Sequence, residues 1–235
     1  MLNSACVGNM SQSTCVPFSK NCRTFNVCAA TGCGKTVLMG NILREHNRLF
    51  EVKIESIVYS YNVYQQSFFE LERDLGDKIH FIQGLASKEQ LLSYSRPMIY
   101  IIDDLCEEAY NSQIVEQIFC VLAHHESIFC FLLGQNLYYK GSKSRTIQLN
   151  TVCTILLRNT RDKFQISRLA RSMFSENYYV VLDAYKNCEE NSPNGYFYLI
   201  LDSSSSCPPP LRCRTKIFSH DSPVTVYLPK NGTYM

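Results

Sequence analysis

A short segment near the start of the chain restricts the possible folds more than any other feature. Residues 29–36 have the sequence AATGCGKT; they follow a strand-like run that begins at Phe25 and precede an apolar, helix-like stretch from Val37. This is the pattern of a P-loop, although Ala29 stands where its first glycine is usual. We therefore predict a strand, a phosphate-binding loop and a helix in that order, as in α/β proteins with a largely parallel sheet.

Each part of such a loop has a chemical role. Backbone N–H groups at the start of the helix bind phosphates, Lys35 reaches the β- and γ-phosphates of ATP, and Thr36 places its hydroxyl on Mg²⁺. A strand-to-helix turn without a ligand is the alternative. Cys33, beside Lys35 and a helix N-terminus, predicts a loop that is sensitive to thiol reagents. The predicted nucleotide-binding residues are Thr31, Gly32, Cys33, Gly34, Lys35 and Thr36.

Paired acids follow the most apolar strand candidate. The run from Met98 to Ile102 is unbroken and ends directly in Asp103 and Asp104. Such a strand is typical of the centre of a parallel sheet and presents its acids at the carboxyl edge, where ligands bind. The pattern resembles a Walker B strand, so we expect Asp103 to hold Mg²⁺ and Asp104 to polarise the attacking water. The alternative is a helix N-cap followed by a first-turn acid; Glu107 and Glu108 are fallback bases.

A glutamine follows the next apolar run. Ile128–Leu133 is a second strand candidate buried on both faces, and Gln135 comes just after it. At that edge of the sheet an amide can orient water beside the γ-phosphate of a nucleotide. Glutamine also occurs as an ordinary turn residue.

Charge is unevenly distributed along the chain. The net charge of +2, from 23 bases and 21 acids, excludes a polycationic nucleic-acid coat. However, residues 51–126 hold 13 acids and 5 bases, whereas residues 140–171 hold 8 bases and one acid. The basic segment can meet nucleic-acid phosphates, supply an arginine finger to the ATP of a neighbouring subunit, or simply form a solvated helix face. Arg145 and Arg158 flank a strand candidate and are the arginine-finger candidates.

The sequence does not indicate a metal site, a disulfide framework or a membrane span. Twelve cysteines are scattered without CxxC spacing, which favours buried, reduced thiols in a reducing compartment over zinc or a disulfide framework. His124 and His125 end a predicted helix, where capping explains them better than metal binding. No apolar run reaches the roughly 18 residues of a membrane span, and the N-terminus lacks signal-peptide features. We expect a soluble, intracellular protein.

Three regions are predicted. Residues 1–22 form an irregular leader, residues 23–190 a core in which strands alternate with helices, and residues 191–235 a small β extension packed on that core. Within the core, one helix is expected from about Glu107 to Ala123.

Several segments, in this order along the chain, resemble a known family. They are 31–36, 101–105, 124–125, 135–137, 144–150, 161–163, 183–185, 195–196, 211–218 and 226–230. Together they resemble the genome-packaging ATPases of Polinton-like and adintovirus-like elements, which are relatives of the poxvirus packaging ATPase among the FtsK/HerA-type P-loop motors.

The resemblance implies a RecA-like core that forms a homo-oligomeric ring and couples ATP hydrolysis to the movement of double-stranded DNA into a viral capsid. It implies that Gln135 is a sensor and that an arginine finger exists, for which Arg145 is our candidate. It also implies a capsid or portal component as partner, and action in the host nucleus or at a cytoplasmic assembly site. The lack of a long apolar run predicts no membrane partner. Two other functions fit the same motifs: a P-loop kinase for a nucleotide or small molecule, and a non-catalytic nucleotide-binding assembly protein.

Overall fold

The chain folds around one mixed sheet. A computed structural model describes residues 5–10, 18–159, 163–192, 194–221 and 223–230. Within them the strands are β1 (Cys6–Met10), β2 (Thr24–Cys28), β3 (Ser56–Tyr61), β4 (Ile79–Gln83), β5 (Met98–Asp103), β6 (Ile128–Gly134), β7 (Cys153–Leu157), β8 (Tyr198–Asp202), β9 (Cys213–Thr215) and β10 (Val224–Leu228).

Helices connect most of these strands. They are α1 (Lys35–Arg44), α2 (His46–Leu49), α3 (Gln66–Leu75), α4 (Lys88–Ser93), α5 (Cys106–Ala109), α6 (Gln113–Gln117), α7 (Ala123–His125), α8 (Ser144–Leu149), α9 (Lys163–Phe174) and α10 (Tyr178–Glu190). Helix α4 begins with a capping box in which the Ser87 hydroxyl accepts from the N–H of Gln90.

The order of the strands confirms the predicted fold class. It is β1-β10-β9-β8-β7-β2-β6-β5-β3-β4, and the six strands from β7 to β4 pair in parallel. Strand β6 lies between β2, which leads into the predicted phosphate loop, and β5, which ends in Asp103. This order brings the carboxyl ends of β2, β6 and β5 to one edge of the sheet.

Unbroken apolar strands explain why this part of the sheet is central. All residues of β2, β5 and β6 are buried. Phe25 of β2 stacks on Phe131 of β6 with ring centroids 4.0 Å apart, and helices cover both faces. Burial on both faces favours continuous apolar runs, as in these strands.

The C-terminal β extension continues the same sheet. Strands β8, β9 and β10 pair antiparallel from the edge of β7. The leader, expected to be irregular, contains β1, which pairs with β10 from Cys6 opposite Leu228 to Met10 opposite Val224. The division of the chain into a leader (1–22), a core (23–190) and a β extension (191–235) remains a prediction.

The helix expected over residues 107–123 is interrupted. Helix α5 ends at Ala109, and the carbonyl of Tyr110 accepts a hydrogen bond from the N–H of Lys143 at 3.0 Å. Ser112 then caps α6, since its hydroxyl accepts from the N–H of Val115, and a π-helical turn over 118–122 leads into α7. A contact from a distant loop therefore stops a helix that local periodicity would continue.

A buried ion pair joins β8 to β9, and its loss should destabilise the fold. Asp202 and Arg214 are 3.1 Å apart, with side chains only 3% and 2% exposed. Asp202→Ala leaves the Arg214 guanidinium buried without its counter-ion, which typically costs about 3–5 kcal/mol. We expect that loss in the free energy of unfolding measured by denaturant titration. The control is Glu190→Ala, which removes an exposed pair with Lys186 and should cost less than about 1 kcal/mol. Equal losses in the two variants would contradict the prediction.

Candidate active site

The segment predicted to bind phosphates forms a tight loop between β2 and α1. Gly32 and Gly34 have φ of +74° and +90°, a backbone conformation that other residues rarely adopt. The carbonyl of Gly34 accepts from the N–H of Leu38 at 2.9 Å and so begins α1. The first N–H groups of a helix have no partner within the helix, so the loop presents donors together with the positive end of a helix dipole.

The alanine at the first position of the pattern fits the loop. Ala29 is fully buried, and its N–H donates to the carbonyl of Gly134 at 3.1 Å. Its φ is negative, so its conformation does not require glycine. Lys35 extends across the loop, where its Nζ donates to the carbonyl of Ala29 at 3.3 Å.

The register of the central strands brings three predicted site residues to one edge. Cys28 lies opposite Gly134, and Leu133 lies opposite Asp103. The loop after β2, Gln135 after β6 and Asp104 after β5 therefore leave the sheet at the same level. Neighbouring strands are about 4.8 Å apart, so this edge forms a compact group.

The two acids differ in environment. Asp103 is buried and accepts a hydrogen bond from the Tyr59 hydroxyl at 2.8 Å on Oδ2. Burial raises the pKa of Asp103, opposed by this hydrogen bond and by the charge of Lys35. Asp104 is exposed and has φ of +53°, an uncommon conformation that aspartate tolerates better than most residues. The Asp103 carboxylate is thus buried and held by a hydrogen bond, whereas the Asp104 carboxylate next to it is exposed to solvent.

Gln135 lies in a turn whose backbone is hydrogen-bonded to the side chain of Tyr139. The Tyr139 hydroxyl accepts from the N–H of Gln135 at 2.7 Å and from that of Asn136 at 3.3 Å. A Cβ at Gly134 would lie 2.9 Å from both Cys106 Sγ and the Tyr139 ring, so only glycine permits this approach. The backbone of Gln135 is held while its side chain is exposed.

A second glutamine, not predicted from the sequence, lies at the same edge. The Thr36 hydroxyl donates to Gln65 Oε1 at 3.4 Å. Gln65 follows β3, the strand that pairs with β5, and precedes α3. Its position after a parallel strand next to the acidic strand is the only signal in the sequence, and it becomes informative only once the strand order is known.

The arginine-finger candidates have different surroundings. Arg158 follows β7 beside the phosphate loop; its carbonyl accepts from the N–H of Ala30 at 3.2 Å, and its guanidinium lies against Gly195. Arg145 is exposed in the first turn of α8.

Much of the basic segment is engaged within the chain. Lys143 and Lys163 form ion pairs with Glu116 and Glu189. Arg168 and Arg171 lie over the rings of Tyr138 and Tyr178. These contacts favour a structural role for part of the segment; Arg161 lies outside the described residues.

His124 and His125 end α7, and the described residues contain no group of three or more potential metal-binding side chains. Each of the eleven described cysteines is a free thiol, and Cys15 lies outside the described residues. None of the described helices has the length and apolar character that a membrane crossing requires.

The far end of α1 is tied to the loop between β9 and β10, and this tie predicts a pH effect. Partial burial raises the pKa of Glu45, but hydrogen bonds from Ser219 and Arg48 outweigh it and hold the pKa below the usual value. A carboxylate with a lowered pKa stabilises the fold above its unfolded pKa, and this contribution is lost as the pH falls through the folded pKa.

We therefore expect Glu45→Gln to be less stable than wild type at neutral pH and to approach it in stability below about pH 4. Unfolding midpoints at a series of pH values will test this, with Glu55→Gln, an exposed acid paired with Lys53, as control. A difference between wild type and Glu45→Gln that does not change with pH would contradict the assignment.

No protein-family model matches the chain, and no curated protein matches it. Among solved structures, the chain is similar to the DNA-packaging ATPase B204 of Sulfolobus turreted icosahedral virus, with 14% identity, 78% of this chain and 94% of that chain covered, and a TM-score of 0.49. It is similar to the genome packaging NTPase B204 of Sulfolobus turreted icosahedral virus 2 in complex with AMPPCP, with 15% identity, 77% and 92% covered, and a TM-score of 0.48.

A third similarity is to EssC (ATPases 2 and 3) of Geobacillus thermodenitrificans. It has 11% identity, covers 92% of this chain and 41% of that chain, and has a TM-score of 0.44.

Proposed function

We propose that this chain is an ATP-hydrolysing motor subunit that moves double-stranded DNA into a viral capsid. The observation that carries the ATPase part is the convergence, on three adjacent strand ends, of a phosphate loop, a buried and an exposed carboxylate, and a glutamine. The DNA-packaging part rests on the ordered sequence segments that resemble packaging ATPases.

The residues have distinct roles in this proposal. Lys35 and the N–H groups of 31–36 bind the phosphates, Asp104 accepts a proton from the attacking water, and Gln135 orients that water. The Thr36 hydroxyl and the Asp103 carboxylate are oxygen ligands of the kind Mg²⁺ prefers. When bound, Mg²⁺ would neutralise charge on the phosphates.

The exposed Arg145 suits a role outside its own subunit. In a ring, an arginine finger acts on the ATP of the neighbouring subunit, so its side chain must be exposed in the single chain. Arg145 meets this requirement, and we propose it as the finger of a homo-oligomeric ring.

The test is ATP hydrolysis with and without double-stranded DNA. We expect Mg²⁺-dependent hydrolysis that DNA stimulates at low salt, with the stimulation weakening as salt rises because phosphate contacts are screened. Turnover that ignores DNA but requires a small acceptor would indicate a kinase. ATP binding without turnover at high protein concentration, with or without DNA, would indicate a non-catalytic assembly protein.

A further inference from the structure

A large cavity adjoins the outer side of the phosphate loop. Its volume is about 730 Å³, and it lies between α1, the end of α10 and strands β8–β10. Cavities that bind small molecules usually have volumes of about 300–1,000 Å³. Gly34 of the loop is part of its wall, so a molecule held by its phosphates in the loop could extend directly into the cavity.

An exposed aromatic ring stands where the loop and the cavity meet. A Cβ at Gly34 would lie 3.0 Å from Tyr196 Cδ1, which places the tyrosine ring against the phosphate loop. Tyr196 is nonetheless 63% exposed and lines the cavity. A tyrosine that is fixed on one side and open on the other offers a flat surface on which a planar ring can stack.

Neutral amides line part of the cavity, beside the ionisable side chains of Lys216, His220 and Asp221. Asn41 of α1 and Asn187 and Asn191 of α10 line it. Neighbouring bonds hold two of them: Asn187 Oδ1 accepts from the Tyr227 hydroxyl at 2.9 Å, and Asn191 Nδ2 donates to the Asn187 carbonyl at 2.8 Å. A carboxamide both donates and accepts hydrogen bonds, which suits the mixed edge of a nucleobase.

We propose that this cavity binds the base and ribose of the nucleotide whose phosphates lie on residues 31–36, with the base stacked on Tyr196 and its edge facing the amides. The inference rests on the proposed nucleotide-binding function and adds the site for the uncharged half of the ligand. An aromatic wall and neutral amides match a nucleoside, whereas the phosphate loop and Lys35 match the charged half.

The test separates the two halves of the ligand by comparing ATP with inorganic tripolyphosphate. Both affinities are measured, with Mg²⁺ present, for wild type, Tyr196→Ala, Tyr196→Phe and Asn41→Trp. Stacking of a base on an aromatic side chain contributes about 1–3 kcal/mol, so Tyr196→Ala should weaken ATP binding by about 5- to 150-fold. It should change tripolyphosphate binding less than about twofold, since the phosphates do not touch the ring.

The other variants refine the test. Tyr196→Phe keeps the stacking ring and should bind ATP like wild type, whereas Asn41→Trp fills the cavity and should weaken ATP binding alone. Phe69→Ala, which removes an exposed ring on α3 away from the cavity, is the matched control and should change neither affinity.

Four results would overturn the inference, and they differ in what they say of the proposed function. If ATP binding is unchanged in both Tyr196→Ala and Asn41→Trp, the base does not bind in this cavity. The same follows if wild type binds tripolyphosphate as tightly as ATP. In both cases the proposed binding of phosphates by residues 31–36 is unaffected. If the two affinities fall together in Tyr196→Ala, the tyrosine supports the loop and not the base. If wild type binds neither ligand, the proposed function fails as well.

Discussion

Replacing Lys35 with alanine is expected to slow ATP hydrolysis by at least about 100-fold while the fold remains intact. The ammonium group is the positive charge that the loop itself contributes to the phosphates, and negative charge develops on the leaving oxygen as the γ-phosphoryl group is transferred. In the structure Lys35 Nζ lies across the loop and donates to the carbonyl of Ala29.

The effect on stability should be small by comparison. Lys35→Ala removes one half-buried hydrogen bond, worth about 0.5–1.5 kcal/mol, and leaves both loop glycines and the helix unchanged. Initial rates under saturating ATP, together with thermal unfolding of the same samples, separate the two effects. Lys53→Ala removes an equally positive but exposed side chain and should hydrolyse ATP like wild type. Full activity in Lys35→Ala would refute the proposed site.

The central fold could be predicted because its signals are local. The runs at 98–102 and 128–133 contain only apolar residues, which excludes a half-exposed surface element. They form most of β5 and β6, which are buried along their whole length. Burial on both faces of a parallel sheet fixes both composition and position. The edge at which the loop, the acids and Gln135 meet then follows from strand direction alone.

The parts that could not be predicted depend on contacts between distant residues. Strand β1 contains a glycine and an asparagine and has little intrinsic strand character; its pairing with β10, more than 200 residues away, stabilises it. The break after α5 depends on the backbone of Tyr110 accepting from Lys143. No local pattern contains that information.

The same distinction applies to the site. The P-loop and the paired acids are contiguous in sequence, so their chemistry could be predicted from spacing. Gln65 and Tyr196 reach the loop from opposite sides through space. Gln65 belongs to no motif, and Tyr196 lies in one of the resembling segments, but nothing in that segment predicts contact with the loop. The reacting groups could be predicted from sequence. The side chains that surround them could be identified only from the strand order.

The second large effect is expected for Asp104→Asn, which should slow ATP hydrolysis by about 10²- to 10⁴-fold with nucleotide binding retained. The change removes the negative charge and the proton acceptor but keeps the size of the side chain. Asparagine also tolerates the positive φ of this position, so the backbone should not move. Because Asp104 is exposed and Asp103 remains in its buried hydrogen bond with Tyr59, the proposed metal ligand is unaffected.

Comparison with neighbouring acids makes this prediction specific. Asp103→Asn should also slow hydrolysis, but with weaker Mg²⁺-dependent nucleotide binding, because it alters the proposed metal ligand. Glu107→Gln, in the first turn of α5 and exposed, should retain activity within about threefold if the acid there serves only the helix dipole. If Glu107→Gln instead loses more activity than Asp104→Asn, the proton acceptor lies on α5, and the strained backbone at Asp104 serves only to turn the chain into that helix.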